Sequence, residues 1–143
     1  MSEATKPRPE FSNLNVFRNL TTYHLPLANW VSILHRVSGA LMFFLLPFII
    51  WLFDKSVSSE ISFGQFSAAF TAGAWLFPAW FIKLVVLALI WSYLLHIFAG
   101  VRHLILDVTH RTTKPFGRHT AVTVLALSTL LTLILGAKLF GLY

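Results

Sequence analysis

Polar and apolar positions alternate along this chain in long blocks, not residue by residue. Three blocks are almost continuously apolar: 31–53, 84–106 and 121–142. Each spans at least the roughly 20 residues that a helix needs to cross about 30 Å of hydrocarbon, at about 1.5 Å of rise per residue. Backbone N–H and C=O groups in lipid must be paired internally, so such blocks form helices; the period-two alternation of barrel strands is missing. The pattern therefore predicts three transmembrane helices, preceded by a polar arm over 1–30 that is broken by Pro7, Pro9 and Pro26.

Between the first two blocks, 54–80 mixes Ser, Gly and aromatic residues with few charges, and predicts a short amphipathic surface helix over about 61–72. The polar stretch 107–119 links the second and third helices. Trp30 and Trp51 bracket the first block at a spacing worth about 31 Å of helix, which suits interfacial aromatic anchors. Pro47 predicts a kink near the outer end of that helix.

Composition agrees with lipid as the main solvent. Of the 143 residues, 57% are hydrophobic and 11% charged, with a mean hydropathy of +0.74, which excludes an ordinary water-soluble domain. A formal net charge of +6 raises nucleic acid as a partner, but the cations do not form a basic face interleaved with aromatics. They mark sidedness instead. Lys6, Arg8, Arg18, Arg36, Arg102, Arg111, Lys114 and Arg118 fall on one side, and Lys55, Lys83 and Lys138 on the other, so the N-terminus is expected in the cytoplasm. The arm, with Glu3 and Glu10 before any apolar run, does not read as a cleaved signal. With no cysteine, the chain can supply neither a disulfide nor thiolates for an iron–sulfur cluster.

Candidate chemistry sits on the second block. Ser92, His96, Gly100, His103 and Asp107 fall within roughly 80° of one another around a helix, so one stripe is small or polar while the rest is apolar. Such a stripe avoids lipid and faces other helices. His96 lies about 15 Å from the cytoplasmic end, near mid-membrane. It reads either as a helix–helix hydrogen bond or as a neutral imidazole ligating haem, with Gly100 leaving room for a flat macrocycle.

His96 and His103 are about 10.5 Å apart in rise, too far to ligate one haem together. Neither the first nor the third helix supplies a second histidine at matching depth, so a bis-histidine haem would need another chain. His103 reads as a propionate or outer-shell partner, or as a plain interfacial histidine. Arg102, off the stripe, reads as a lipid-phosphate anchor. Asp107 reads as a partner for a buried cation or as a solvated helix-terminal carboxylate.

In the first block, Ser32 and Arg36 share a face one to two turns inside the membrane, with His35 about 100° away. A central arginine costs about 2.5 to 3.5 kcal/mol to insert, so Arg36 should face protein, a cofactor or a hydrated cavity. Hydrogen-bond donors beside an apolar slot are what a quinone requires, and an Arg36–Asp107 pair could carry protons. The plainer alternative is positive-inside anchoring by Arg36 with Ser32 bonded back to its own helix. Ser38 and Gly39 read as residues that permit close helix packing.

Taken together, Arg8-Pro9, Leu25-Pro26, the run Ser32-Ile33-Leu34-His35-Arg36-Val37-Ser38-Gly39, and His96 followed by Gly100-Val101-Arg102-His103-Leu104 and Asp107 resemble the cytochrome b556 subunit family of succinate dehydrogenase. The resemblance implies an all-α membrane protein whose three transmembrane helices contribute to a heterodimeric helical bundle around a b-type haem, in a bacterial inner membrane. It implies His96 as the axial ligand, Ser32 and Arg36 as ubiquinone contacts, Asp107 as a carboxylate near the quinone arginine, and His35 near a haem propionate. It further implies a second small anchor subunit, an iron–sulfur subunit and a flavoprotein subunit as partners. Such a chain performs no complete reaction alone. A small assembly protein would leave Ser32, Arg36 and His96 without a task, and a proton-coupled transporter should show the repeated broken helices that are missing here.

Overall fold

The computed structural model describes residues 25–110 and 113–143, all of them helix, turn or irregular backbone apart from one isolated bridge between Ala74 and Phe77. The cations Lys6, Arg8, Arg18 and Arg111, with most of the expected N-terminal arm, lie outside the described residues.

Pro26 opens the first helix, α1 (Leu27–Phe44), with its own backbone extended and its carbonyl accepting from Asn29 N at 2.9 Å. A second helix, α2 (Leu46–Val57), follows after the single residue Leu45 and is bent from α1 by 56°. The expected kink is thus a break. Pro47 has no N–H to give the Phe43 carbonyl, and its ring crowds that carbonyl, so the chain turns at Leu45 and restarts with proline in the first turn, where a missing donor is harmless.

A two-residue step leads to α3 (Glu60–Thr71), the short helix expected over 61–72. Its start is fixed by a reciprocal cap, with Ser62 N donating to Ser59 Oγ at 3.1 Å and Ser59 N to Ser62 Oγ at 2.8 Å. The small residues Ser62 and Ala69 face inward, while Ile61 and Phe63 are exposed. Gly73 then takes φ 99, and a Cβ there would run into the Phe77 carbonyl. Ala74 and Phe77 exchange backbone hydrogen bonds of 3.0 Å each, which closes a tight turn with Trp75 at φ 54.

The long helix α4 (Ala79–Thr109) has 31 residues, about 46 Å, and α5 (Lys114–Leu139) has 26, about 39 Å. Both are long and apolar enough to cross a membrane, and α1 with α2 makes a third such segment only if the bent pair is counted as one. α4 begins five residues before the expected block, and α5 begins seven before its own.

α4 is the spine of the bundle, packed on one side by α1 and on another by α5, which also touch each other. Val31, Ala99, Ala121 and Val124 form the shared core, flanked by Phe98 and Leu125. Contacts between helices are made by small side chains: Ser38, Ser92, Ala99 and Ser128 are fully buried. Bulky ones point outward, Phe44 at 77% exposure and Leu133 at 66%. In lipid this inversion is favourable, because helices associate by close packing and the acyl chains solvate what is left outside.

Candidate functional site

Where α1 crosses α4 in antiparallel sense, three imidazoles converge. The His35 ring lies 4.1 Å from that of His96, tilted by 30°, and 5.3 Å from that of His103. Gly39 permits it. A Cβ on Gly39 would sit 3.0 Å from His96 Cε1, so α1 yields its side chain where α4 presents a ring; one on Gly100 would sit in ordinary contact with His35 Nε2 at 3.6 Å.

His96 is held by one nitrogen. Its Nδ1 lies 3.1 Å from the His35 carbonyl oxygen and 3.2 Å from Ser38 Oγ, and the Ser38 hydroxyl donates to the same carbonyl at 2.8 Å. Among the described residues, Nε2 has no hydrogen-bond partner. A half-buried imidazole with one nitrogen tied to a carbonyl and the other bare is the arrangement of a metal-ligating histidine. The donor set thus fits haem, whose macrocycle brings its own four nitrogens. It does not fit a bare metal ion, since no group of three or more His, Cys, Asp or Glu side chains among the described residues could hold one.

Four expectations change here. The first helix does bring a histidine ring against His96, that of His35, although the His35 backbone is level with Gly100 and not with His96. The two rings lie face to face, however, whereas opposed axial ligands must point nitrogen at nitrogen across a metal; they do not form such a pair. The space beside Gly100, expected to admit a macrocycle, holds the His35 ring. Arg102 is not a lipid anchor: it is 5% exposed, with Nε donating to Thr120 Oγ1 at 3.0 Å and Nη2 to the Gly117 carbonyl at 3.4 Å. That contact clamps α4 to the first turns of α5. Its signal was in the sequence, since Arg102 continues the helical series of buried α4 positions Ser92, Leu95 and Ala99.

The fourth change concerns Asp107. Gly39 meets His96 and Gly100 meets His35, so facing positions on α1 and α4 sum to about 135, and Asp107 falls level with Ala28, about 12 Å along the axis from Arg36. No ion pair joins Asp107 to Arg36 among the described residues. Ser32 is half-buried in the first half of α1, and Arg36 is exposed one turn further on. Asp107 is exposed near the end of α4. A cleft of about 660 Å³ opens at this end of the bundle between Pro26, Ala28, Lys114, Gly117 and Arg118, but Ser32, Arg36 and Asp107 do not line it. The histidines are therefore brought together by this chain, and Ser32 and Arg36 share a face of α1, but Asp107 does not join them.

Ser38, expected only to permit close packing, also touches His96 Nδ1 across the helix pair. Ser92, on the α4 stripe one turn from His96, has a fully buried hydroxyl with no partner.

Comparison with known proteins places these features in context. A family model described as succinate dehydrogenase/fumarate reductase transmembrane subunit matches residues 5–135. The chain is 34% identical over 110 residues to the succinate dehydrogenase cytochrome b556 subunit of Coxiella burnetii, covering 77% of this chain and 83% of that one. It is 29% identical over 126 residues to the succinate dehydrogenase cytochrome b560 subunit of Reclinomonas americana, covering 85% and 86%. To the cytochrome b556 subunit of Rickettsia felis it is 25% identical over 134 residues, covering 92% and 98%.

Proposed function

Because the chain belongs to the succinate dehydrogenase/fumarate reductase transmembrane subunit family, we propose that it anchors a succinate:quinone oxidoreductase in the membrane, ligates haem b through His96, and contributes Ser32, Arg36 and Asp107 to a ubiquinone-reduction site. In this reading α1 and α2 together make one bent span, so the chain crosses the bacterial inner membrane three times with its N-terminus in the cytoplasm. The observation that carries the haem assignment is the bare Nε2 of His96, its Nδ1 engaged by the His35 carbonyl inside an apolar bundle.

Haem b, when bound, supplies a one-electron carrier. The chain's own residues hold it and tune its surroundings. His96 would supply a ligand nitrogen, and His35 and His103, gathered beside it, would offer imidazole donors to the propionate carboxylates. A second small anchor subunit would supply any further ligand to the iron, as the resemblance implies. That subunit would cover the exposed α4 face of Tyr93, Ile97, Val101 and Leu104.

Arg36 and Ser32 share a face of α1, and both can donate to a quinone carbonyl oxygen, the guanidinium also stabilising charge that builds there on reduction. Their exposure in the isolated chain fits a pocket whose remaining walls are other subunits. Electrons would arrive through an iron–sulfur subunit from a flavoprotein subunit; this chain has no cysteine to hold a cluster. Asp107, level with the start of α1 and not with Arg36, would act at the mouth of the site, relaying protons from the cytoplasm.

A reduced-minus-oxidised optical spectrum of the purified complex tests the haem assignment. The expected result is a haem b band in the wild type and its loss in His96→Ala; an unchanged band in the variant would sink the assignment. For the quinone site, Arg36→Ala is expected to lower quinone reduction at least tenfold, about 1.4 kcal/mol of transition-state stabilisation, while succinate oxidation by a soluble artificial acceptor persists.

A further inference from the structure

We propose that Ser38 is a positioning residue that locks the tautomer of His96, holding its proton on Nδ1 so that Nε2 is always free to ligate; this rests on reading His96 as an axial ligand.

A serine hydroxyl has one proton to give, and Ser38 gives it to the His35 carbonyl at 2.8 Å. What Ser38 turns toward His96 Nδ1, at 3.2 Å, is therefore a lone pair. The other neighbour of Nδ1, the His35 carbonyl oxygen at 3.1 Å, can only accept. Nδ1 thus sits between two acceptors. A proton there satisfies both; the other tautomer would set the ring lone pair against two oxygen lone pairs and carry its proton on the nitrogen needed for iron. Ser38 is fully buried, so water cannot replace the contact. An unsatisfied polar group at such a site costs about 1 to 3 kcal/mol, enough to leave one tautomer dominant.

The carbonyl alone would give the Nδ1 proton a single acceptor, and the serine oxygen adds a second. The hydroxyl ties the two together. Gly39 makes this possible: any side chain there would meet His96 Cε1 at 3.0 Å and Nδ1 at 3.4 Å and push the ring away from both oxygens. The adjacent pair Ser38-Gly39 is thus a cradle for one edge of the His96 ring. Hydrogen bonds accepted from Nδ1–H also raise the basicity of the opposite nitrogen, so the cradle strengthens the ligand as well as aiming it.

Two measurements on the assembled complex decide the matter. In a potentiometric titration of the haem band, Ser38→Ala is expected to retain haem but favour the reduced form, by roughly threefold to tenfold at a fixed potential, up to about 59 mV for a one-electron couple. Ser38→Cys, similar in size but a far weaker hydrogen-bonding group, should fall near the alanine variant. In complex prepared without haem, ¹⁵N resonances of His96 should show the proton on Nδ1 in wild type and a mixture of tautomers in Ser38→Ala. A haem-loaded Ser38→Ala complex with the wild-type potential, or a haem-free one with an unmixed Nδ1–H tautomer, overturns the proposal. If the variant does not assemble, the Ser38→Cys complex supplies both readings. Failure of the premise looks different: the haem band would survive His96→Ala, whereas the tautomer measurement would still report on the lock.

Discussion

The two ends of the α1–α4 contact solve opposite problems. Toward the start of α1, the helices approach closely at Gly39 and bring together His35, His96 and His103 with the Ser38 hydroxyl. Toward the other end, Pro47 breaks the first span, α2 diverges by 56°, and aromatic rings fill the widening gap, with Trp51 at 5.1 Å from Trp75 and 5.9 Å from Phe48. The first region needs fixed distances, since its hydrogen bonds at the His96 ring weaken with small displacements. The second needs bulk and an amphipathic edge near the membrane surface, which Trp supplies with little demand on geometry. A single helix pair can thus be rigid at one end and permissive at the other, and substitutions should separate the two.

The largest effect is expected at Gly39. Gly39→Val places methyl groups against His96 and should abolish the haem band nearly as completely as His96→Ala, read in the same difference spectrum. Next is Arg102→Met, which removes both hydrogen bonds to α5 from a buried charged group; a loss of about 2 to 4 kcal/mol in stability is expected, read as a lower midpoint in thermal or denaturant unfolding of the complex. If the clamp belongs to the rigid end, haem content should fall as well. Pro47→Ala restores a donor for the Phe43 carbonyl and should straighten the span, changing the distance between spin labels on α1 and α2 while leaving the haem potential alone. A changed potential would mean that the two ends are coupled. The smallest effect is at Trp75→Gly: relief of the positive φ, about 1 kcal/mol, opposes the loss of an aromatic contact worth about 0.5 to 1.5 kcal/mol, so the unfolding midpoint should barely move.

Hydropathy made the helices legible, because an apolar run of twenty residues has few other uses. It did not reveal that α1 and α2 are separate, since the severity of a proline break depends on whether neighbours hold the helix straight, and here α2 packs instead on α3. The His96 stripe was legible from periodicity within one helix. His35 was not, because its depth against His96 depends on the register between two helices, which no single-helix pattern contains. Arg102 was misread for a related reason: its angle was judged against the polar stripe, whereas its partners Thr120 and Gly117 lie on α5, on the other side of α4. The assigned roles of Ser32, Arg36 and Asp107 depend on surfaces of other subunits, so neither the pattern nor the isolated fold completes that pocket.

At about 46 Å, α4 is far longer than the hydrocarbon it crosses. A helix with that much excess can meet a thin or a thick bilayer by leaning more or less steeply, without sliding against its neighbours. His96 lies in its interior and is keyed to α1, so the leaning moves the ring and its cradle as one body. The imidazole cluster is in that sense insulated from the lipid composition around it, and the same chain should keep its ligand geometry as membrane thickness varies with growth temperature.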